Sequence, residues 1–138
     1  MSCCSDVMTP IEASSCCTPQ GTAAEAARAM KHSGCGCAPV VENTENLKLV
    51  GVVTERDICH SVAAEDVRAS DVSVEKIMRP ASSCCGTDDS LQETAKKLNE
   101  HQTTSLPVIG QAGSCCGTVS AHHVLATSQE QVNKATMT

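Results

Sequence analysis

The chain has 138 residues and a formal net charge of −6 at pH 7. That length holds about one compact domain, which leaves no room for a separate catalytic domain. An acidic chain without a Lys/Arg cluster argues against a nucleic-acid partner. The absence of 18 consecutive apolar residues, or of a basic and apolar leader, argues against a membrane segment and against export. We therefore expect a cytoplasmic protein.

The composition is unusual because it contains no Phe, Tyr or Trp and 11 Cys. Without aromatic side chains, a bound purine would be enclosed by aliphatic or backbone surfaces rather than stacked on a protein ring. An odd number of cysteines leaves at least one thiol unpaired, and a chain without an export signal normally keeps its thiols reduced. We do not expect a disulfide scaffold.

In the first half of the chain, the pattern predicts a helix followed by a hairpin and a second helix. Thr22 and Glu25 are spaced as a capping box at the start of an alanine-rich run to Lys31. Two apolar segments with a polar turn between them, residues 38–41 and 47–53, predict the hairpin. The second segment leads into a helix that begins near Thr54.

The second half repeats this order. A linker from Cys59 carries the end of the preceding helix and a predicted short helix at residues 74–78, which Pro80 stops. Ser90 and Glu93 form a second capping-box pattern at the start of a run to Glu100. Residues 106–109 and 115–119 predict another hairpin, followed by a helix that begins near Ser120.

Equivalent residues show that one unit occurs twice. Met8 precedes Met78 by 70 positions, and Gly51 precedes Gly117 by 66. A unit of roughly 60 to 70 residues has a marginal core by itself, so the two halves are expected to share one core. We predict two units, at residues 1–64 and 65–138, with a linker helix at the start of the second.

The residues Thr54 to Asp57 carry the clearest functional pattern. A helix N-terminus offers amide groups and partial positive charge to a phosphate. The Thr54 hydroxyl adds a donor, Asp57 is suited to accept both hydrogen bonds of a ribose diol, and Arg56 is suited to neutralise a phosphate. The alternative is that Thr54 and Asp57 form only a capping box.

Taken together, these motifs resemble a tandem pair of CBS domains, also called a Bateman module. The resemblance rests on residues 7–10, 38–41 and 51–57 in the first unit, and on residues 77–80, 106–108 and 117–120 in the second. It implies an α/β (α+β) fold of two βαββα units packed about a pseudo-twofold axis. It also implies a homodimer and two clefts for adenosine derivatives.

The resemblance implies one stronger and one weaker cleft. The stronger is expected to use Val52, Val53, Thr54, Arg56, Asp57, Met78, Ala81, Ser83, Thr103 and Thr104. The weaker is expected to use Ile11, Ala13, Cys35, Gly36, Thr118, Ser120 and His123. It is expected to be weaker because the imidazole of His123 has at most one hydrogen-bond acceptor. It therefore cannot accept hydrogen bonds from both hydroxyl groups of a ribose diol, as a carboxylate can. Alternatives are edge-strand solvation for Thr103 and Thr104, and a pH-sensitive anion site or a solvated helix start for His122 and His123.

The cysteines have two interpretations. Adjacent residues on a strand point to opposite faces, so a Cys-Cys pair is poorly suited to chelate one ion. Cys35 and Cys37 are the best metal candidates, with Cys3, Cys4, Cys59 or His60 as further ligands. The alternative, which we favour, is that the cysteines serve as small buried apolar residues.

No arrangement of nucleophile and base, and no pair of acids, indicates catalysis. We therefore expect a non-enzymatic regulatory module that binds AMP, ADP, ATP or S-adenosylmethionine between its units, without an obligatory metal, and that signals to an effector protein not identified by the sequence. The alternatives are a thiol or metal sensor on the same scaffold, and a structural dimerisation module without a ligand.

Overall fold

The structure is a computed structural model that describes residues 2–127. Its helices and strands follow in this order: α1 (Cys4–Val7), β1 (Thr9–Pro10), α2 (Ala23–Ser33), β2 (Cys37–Val41), β3 (Leu49–Thr54), α3 (Glu55–Ile58), α4 (Val74–Ile77), β4 (Arg79–Pro80), β5 (Cys85–Gly86), α5 (Leu91–Glu100), β6 (Ser105–Ile109) and β7 (Cys115–Ser120). Residues 121–127 form a last helix, α6. Helix α3 continues as a π-helical turn, Cys59–Ala63, and short 3-10 turns lie at Ala13–Ser15 and Ala69–Asp71.

The two long helices begin at the predicted hydroxyl caps. The Thr22 side chain accepts a hydrogen bond from the Glu25 amide at 3.3 Å. The Ser90 side chain accepts one from the Glu93 amide at 3.1 Å. Helix α2 ends at Gly34, whose φ of 72° lies in the left-handed region that glycine adopts without strain. Each helix therefore starts where the sequence predicts it.

The strands form two sheets, each built around one hairpin. Strands β2 and β3 pair antiparallel, as do β6 and β7. The first sheet has the order β2-β3-β4 and the second has the order β1-β7-β6-β5. Cys17 makes an isolated parallel bridge to Val40, and Cys85 of β5 pairs in parallel with Val108. The cysteine pairs at residues 16–17 and 84–85 therefore occupy equivalent positions in the two units.

The leading segment of each unit, a one-turn helix followed by a two-residue strand, packs on the other unit. Strand β1 pairs with β7, and β4 pairs with β3. The Cys4 amide donates to the Asp89 carbonyl at 2.7 Å, and the Val74 amide donates to the Gly21 carbonyl at 3.0 Å. The sequence analysis did not foresee this exchange. A division of the chain at residue 64 remains a prediction, since each sheet takes strands from both sides of it.

Three clusters of small and aliphatic side chains form the core. One lies under each sheet, and a third, at the junction of the two units, contains Val41, Leu49 and Cys115. At this junction the hairpins are joined by backbone hydrogen bonds, from the Leu49 amide to the Gly113 carbonyl at 3.1 Å and from the Cys115 amide to the Leu47 carbonyl at 2.8 Å. The predicted fold class, an α+β arrangement of two βαββα units, is confirmed, but each unit also has a core cluster of its own, and the two units share only the junction cluster.

Each exchanged strand passes a glycine of the sheet that it joins. A Cβ atom at Gly51 would lie 2.7 Å from the Arg79 carbonyl oxygen, and one at Gly117 would collide with the Thr9 carbonyl oxygen. We therefore expect Gly51→Ala and Gly117→Ala each to lower the free energy of unfolding by about 1–3 kcal/mol, because the strand must move away. Urea denaturation measures the loss.

Gly110→Ala is the matched control, because a Cβ there would meet only the Cys116 sulfur at 3.2 Å, and this partly exposed side chain can move. Its loss should be smaller than that of either strand variant. An equal loss in all three variants would show that the close approach of the exchanged strands is not the cause.

Candidate functional site

A cleft of about 320 Å³ lies between the units, where β3 ends and α3 begins. We call it the Thr54 cleft. Its other wall is the loop between α5 and β6. It is lined by Gly36, Thr54, Glu55, Arg56, Gln102, Thr103 and Thr104. Four predicted site residues are thus brought together from the two units: Thr54, Arg56, Thr103 and Thr104.

Thr54, which lines this cleft, forms a reciprocal capping box with Asp57, which lies beside the cleft and outside its lining. The Thr54 amide donates to Asp57 Oδ2 at 2.9 Å, and the Asp57 amide donates to Thr54 Oγ1 at 3.2 Å. The hydroxyl oxygen is an acceptor in this bond, so its proton remains available as a donor. The capping role anticipated as an alternative is therefore present, and it also fixes the orientation of both functional groups.

Asp57 has a second partner that the sequence analysis missed. Arg79 Nε donates to both carboxylate oxygens of Asp57 at 3.2 Å, and Arg79 Nη1 donates to the His101 carbonyl at 2.9 Å. The Arg79 and Asp57 side chains are only 24% and 16% exposed. The carboxylate expected to hold a ribose is therefore already in an ion pair within the chain.

The cationic side of the cleft comes from Arg56, which is exposed at its edge. Arg56 Nη1 donates to Gln102 Oε1 at 3.3 Å, so side chains from the two units are hydrogen-bonded across the opening of the cleft. Gln102 has a positive φ of 50°, and its role in the site was not predicted. A guanidinium in this exposed position is free to turn toward an anion.

The other residues predicted for this cleft lie outside its lining. Val52 and Val53 are fully buried in β3. Met78 packs against the core of the first unit, and Ala81 packs against the junction cluster. Ser83 is buried, and its amide donates to the Pro80 carbonyl at 3.0 Å. Their contact with a ligand remains a prediction.

The residues predicted for the weaker site are divided between two further clefts. Ile11 and Thr118 line a cleft of about 310 Å³, which we call the Thr118 cleft. Its full lining is Thr9, Pro10, Ile11, Glu12, Ser15, His32, Ser33 and Thr118. Gly36 and Ser120 line another, of about 350 Å³.

The other three residues predicted for that site lie near these clefts. The Cys35 sulfur is 3.1 Å from Thr118 Oγ1, and Ala13 lies in a 3-10 turn. His123 Nδ1 is 3.0 Å from Ser120 Oγ. The Ser120–His123 pair thus occupies the place that Thr54 and Asp57 hold in the first unit, but without a carboxylate.

The two units differ most at the position of Arg79. The equivalent residue in the first repeat, 70 positions earlier, is Thr9, which lines the Thr118 cleft. The Arg79 side chain reaches the His101 carbonyl, and the equivalent of His101 is Ser33, which also lines that cleft. The Thr118 cleft is therefore open in the region that an arginine side chain fills in the other half of the molecule.

The cysteines follow a regular burial pattern. In each of the four Cys-Cys pairs, one residue is buried and its neighbour is partly exposed. Burial raises the pKa of Cys17 and of Cys115 to about 12, and it raises the pKa of Cys37 well above its ordinary value. This agrees with a packing role for most of the thiols.

The part of the chain that the structure describes contains no preformed metal centre. Within residues 2–127, no group of three or more His, Cys, Asp or Glu side chains is arranged to hold a metal ion. Cys35 and Cys37 are both buried. Their role as metal ligands remains a prediction.

The fold and its clefts define a pair of βαββα units built about one pseudo-twofold axis. The CBS domain model matches residues 4–64 and 74–130. The chain therefore belongs to the CBS domain family, as the sequence motifs predict. Among residues 2–127, no helix has the length and apolar character needed to span a membrane.

Relatives and solved structures agree with this family. A homoserine O-acetyltransferase from Methanococcus vannielii is 33% identical over 89 residues, which are 64% of this chain and 18% of that protein. The chain thus spans about a fifth of the length of the curated relatives that it matches.

Two solved structures share the fold over most of this chain. Hypoxic Response Protein I with two coordinated zinc ions has a TM-score of 0.73 and 22% identity, covering 91% of this chain and 98% of that one. CBSX2 in complex with AMP has a TM-score of 0.72 and 20% identity, covering 94% and 98%. CBSX2 is a CBS-pair protein from Arabidopsis thaliana.

The burial of the thiols predicts a large spread in their reactivity. Cys59 is exposed, whereas Cys37 and Cys115 are buried and have raised pKa values. At pH 8, iodoacetamide should alkylate Cys59 at least about tenfold faster than either buried thiol, because the thiolate is the nucleophile. Mass spectrometry of digested time points measures the rates. Unfolding in guanidinium should remove the difference, and equal rates in the folded chain would contradict the burial pattern.

Proposed function

We propose that this CBS pair is a non-enzymatic regulatory module that binds an adenosine nucleotide in the Thr54 cleft. The observation that carries the proposal is the meeting of Thr54 and Arg56 from one unit with Thr103 and Thr104 from the other around one cleft. The AMP complex of CBSX2, which shares the fold, supports a nucleotide as the ligand.

The phosphate would bind at the start of α3. The first helical turn carries partial positive charge, and Arg56 adds a full charge at the edge of the cleft. The Thr54 hydroxyl supplies a neutral donor beside them. These groups suit a ligand with one or more phosphates, such as AMP, ADP or ATP.

The ribose would bind at Asp57. A carboxylate has about four acceptor positions, and the Thr54 amide and Arg79 Nε already take three of them. A ribose diol therefore has to displace Arg79 in part. Arg79, once displaced, would be free to pair with the phosphate of the ligand, so a charged ligand would compensate for the broken ion pair.

The purine would lie against the loop before β6. Thr103 Oγ1 donates to the Ser105 carbonyl at 3.0 Å, and the Thr104 carbonyl accepts from the Ala121 amide at 2.7 Å. These bonds hold the loop backbone in place opposite Gly36, where the lack of a side chain leaves room for Thr104. A rigid backbone edge is suited to recognise an adenine without an aromatic ring.

Signalling would follow from the position of the ligand between the units. A nucleotide that contacts α3 and the α5–β6 loop favours the packing of the units that it bridges. We propose that this packing, in a homodimer, is sensed by an effector protein. Helix α6 carries Leu125, which is 67% exposed and is a candidate for the contact between protomers.

The first test is nucleotide binding by the whole chain. AMP, ADP, ATP and S-adenosylmethionine should be compared by calorimetry and by thermal shift, because a ligand of the folded state raises the melting temperature. We expect Asp57→Asn, which keeps the shape of the cap but loses the charge, to weaken binding about tenfold or more. His122→Ala, at the equivalent of Arg56 in the other unit, is the matched control and should bind normally. If no adenosine compound binds, the proposal fails.

A second test separates the ribose from the phosphate. Adenosine lacks phosphate, so it has to displace Arg79 from Asp57 without offering the arginine a new anionic partner. We expect Arg79→Ala to bind adenosine more tightly than the unchanged chain, by about tenfold, because an unpaired carboxylate regains a partner on binding. Arg56→Ala should leave adenosine binding unchanged and weaken AMP binding. Weaker adenosine binding by Arg79→Ala would show that Arg79 contacts the nucleoside directly.

A further inference from the structure

Two buried thiols from opposite units touch in the core of the second unit. Cys4 of α1 and Cys85 of β5 both have no exposed surface and belong to the same apolar cluster. Within this cluster each thiol is the largest influence on the pKa of the other, and Thr94 also acts on the pKa of Cys4. The two cysteines are 81 positions apart in the sequence, so only the exchange of leading segments brings them together.

Backbone bonds hold α1 in this position. The Cys4 amide donates to the Asp89 carbonyl at 2.7 Å, and the Ser5 amide donates to the Thr87 carbonyl at 3.0 Å. Cys3 makes an antiparallel bridge to Ser90. The contact between the thiols is therefore a consequence of a fixed backbone arrangement rather than of one side-chain rotamer.

The pseudo-twofold axis provides an internal comparison. The equivalents of Cys4 and Cys85 in the other half are Val74 and Cys17, and these two also share one core cluster. The site in the first unit therefore has a valine against a cysteine, whereas the site in the second has a cysteine against a cysteine. Packing alone is satisfied by either arrangement, so the second thiol is not required by the shape of the core.

The surroundings make the two thiols unequal. The hydrogen bond from Cys85, helped by Thr94 and by the charge of Lys97, lowers the pKa of Cys4 despite its burial. The hydrogen bond with Cys4 and burial raise the pKa of Cys85. Lys97 Nζ also pairs with Asp89 Oδ2 at 2.6 Å, which holds its charge beside the thiols. We assign Cys4 as the attacking thiol because it lies on a one-turn helix, whereas Cys85 is held in a strand of the sheet.

We propose that Cys4 and Cys85 are a site of reversible oxidation, at which a hydroperoxide converts the two thiols into a disulfide that links the leading segment of the first unit to the second unit. The Cys4 thiolate attacks one oxygen of hydrogen peroxide, so the O–O bond breaks, hydroxide leaves and a sulfenic acid forms. The Cys85 thiol then attacks this sulfur and the S–O bond breaks. The two thiols lose two electrons, and the peroxide becomes two molecules of water.

Access to the buried sulfurs depends on α1, which is a single helical turn of four residues. Such a segment opens locally at a small fraction of the cost of global unfolding. Oxidation would close this opening, because the disulfide ties α1 to β5. Strand β1 follows α1 directly and supplies Thr9 and Pro10 to the Thr118 cleft, so the bond would also fix one wall of that cleft.

The test is peroxide treatment of the whole reduced chain, followed by blocking of free thiols and peptide mapping without reduction. Trypsin leaves Cys3, Cys4, Cys16 and Cys17 in one peptide, so a second protease that cuts at acidic residues is needed. We expect a Cys4–Cys85 cross-link that dithiothreitol removes, and a melting temperature raised by about 5 °C or more in the oxidised chain. These readouts do not depend on nucleotide binding.

Three variants complete the test. Cys4→Val copies the residue found at position 74, so the chain should fold but lose both the cross-link and the thermal shift. Cys17→Ala, a buried thiol opposite a valine, is the matched control and should keep both. Val74→Cys should create a second cross-link, to Cys17. The proposal is overturned if peroxide links other cysteines in preference, or if Cys4→Val keeps the thermal shift.

Discussion

The pairing of each unit's first strand with the sheet of the other unit is the contact on which the rest of the molecule depends. A two-stranded hairpin is marginal by itself, and a third strand with a packed helix gives it stability. Strands β1 and β4 supply that third strand, but only because Gly51 and Gly117 admit the backbone so closely. Neither unit is complete without the other, so a ligand that bridges them acts on the same contacts that hold the fold together.

The absence of aromatic residues explains why cysteines occupy so much of the core. Val, Leu, Ala and Cys are small enough to fill the space between closely packed sheets, and Cys37, Cys85 and Cys115 are almost fully buried. A thiol differs from an alanine or a valine in its chemistry rather than in its packing. The use of cysteine to fill the core therefore brings two reactive thiols together wherever two core cysteines are neighbours.

Much of the fold was predictable because its signals are local. Hydroxyl caps at Thr22 and Ser90 and alternating apolar segments locate helices and strands without knowledge of tertiary contacts. The exchange of leading segments was not predictable in this way, because two residues such as Thr9–Pro10 carry no strand periodicity and gain their structure only from the sheet that they join. The Arg79–Asp57 pair has the same origin, although its signal was visible: the repeat places a long cation at Arg79 where the first copy has Thr9.

This pair changes how the two clefts compare. A carboxylate at Asp57 favours the Thr54 cleft for a ribose, yet part of that advantage is lost in breaking an ion pair whose partners are 24% and 16% exposed. Burial of this degree makes the loss larger than for a surface pair, since less water is available to replace the partner. The Thr118 cleft has no carboxylate at the equivalent position, but it has no competing arginine there either. If the Thr54 cleft binds a nucleotide as proposed, discrimination between ligands there should depend on phosphate, because only an anionic ligand would offer Arg79 a new partner in place of Asp57.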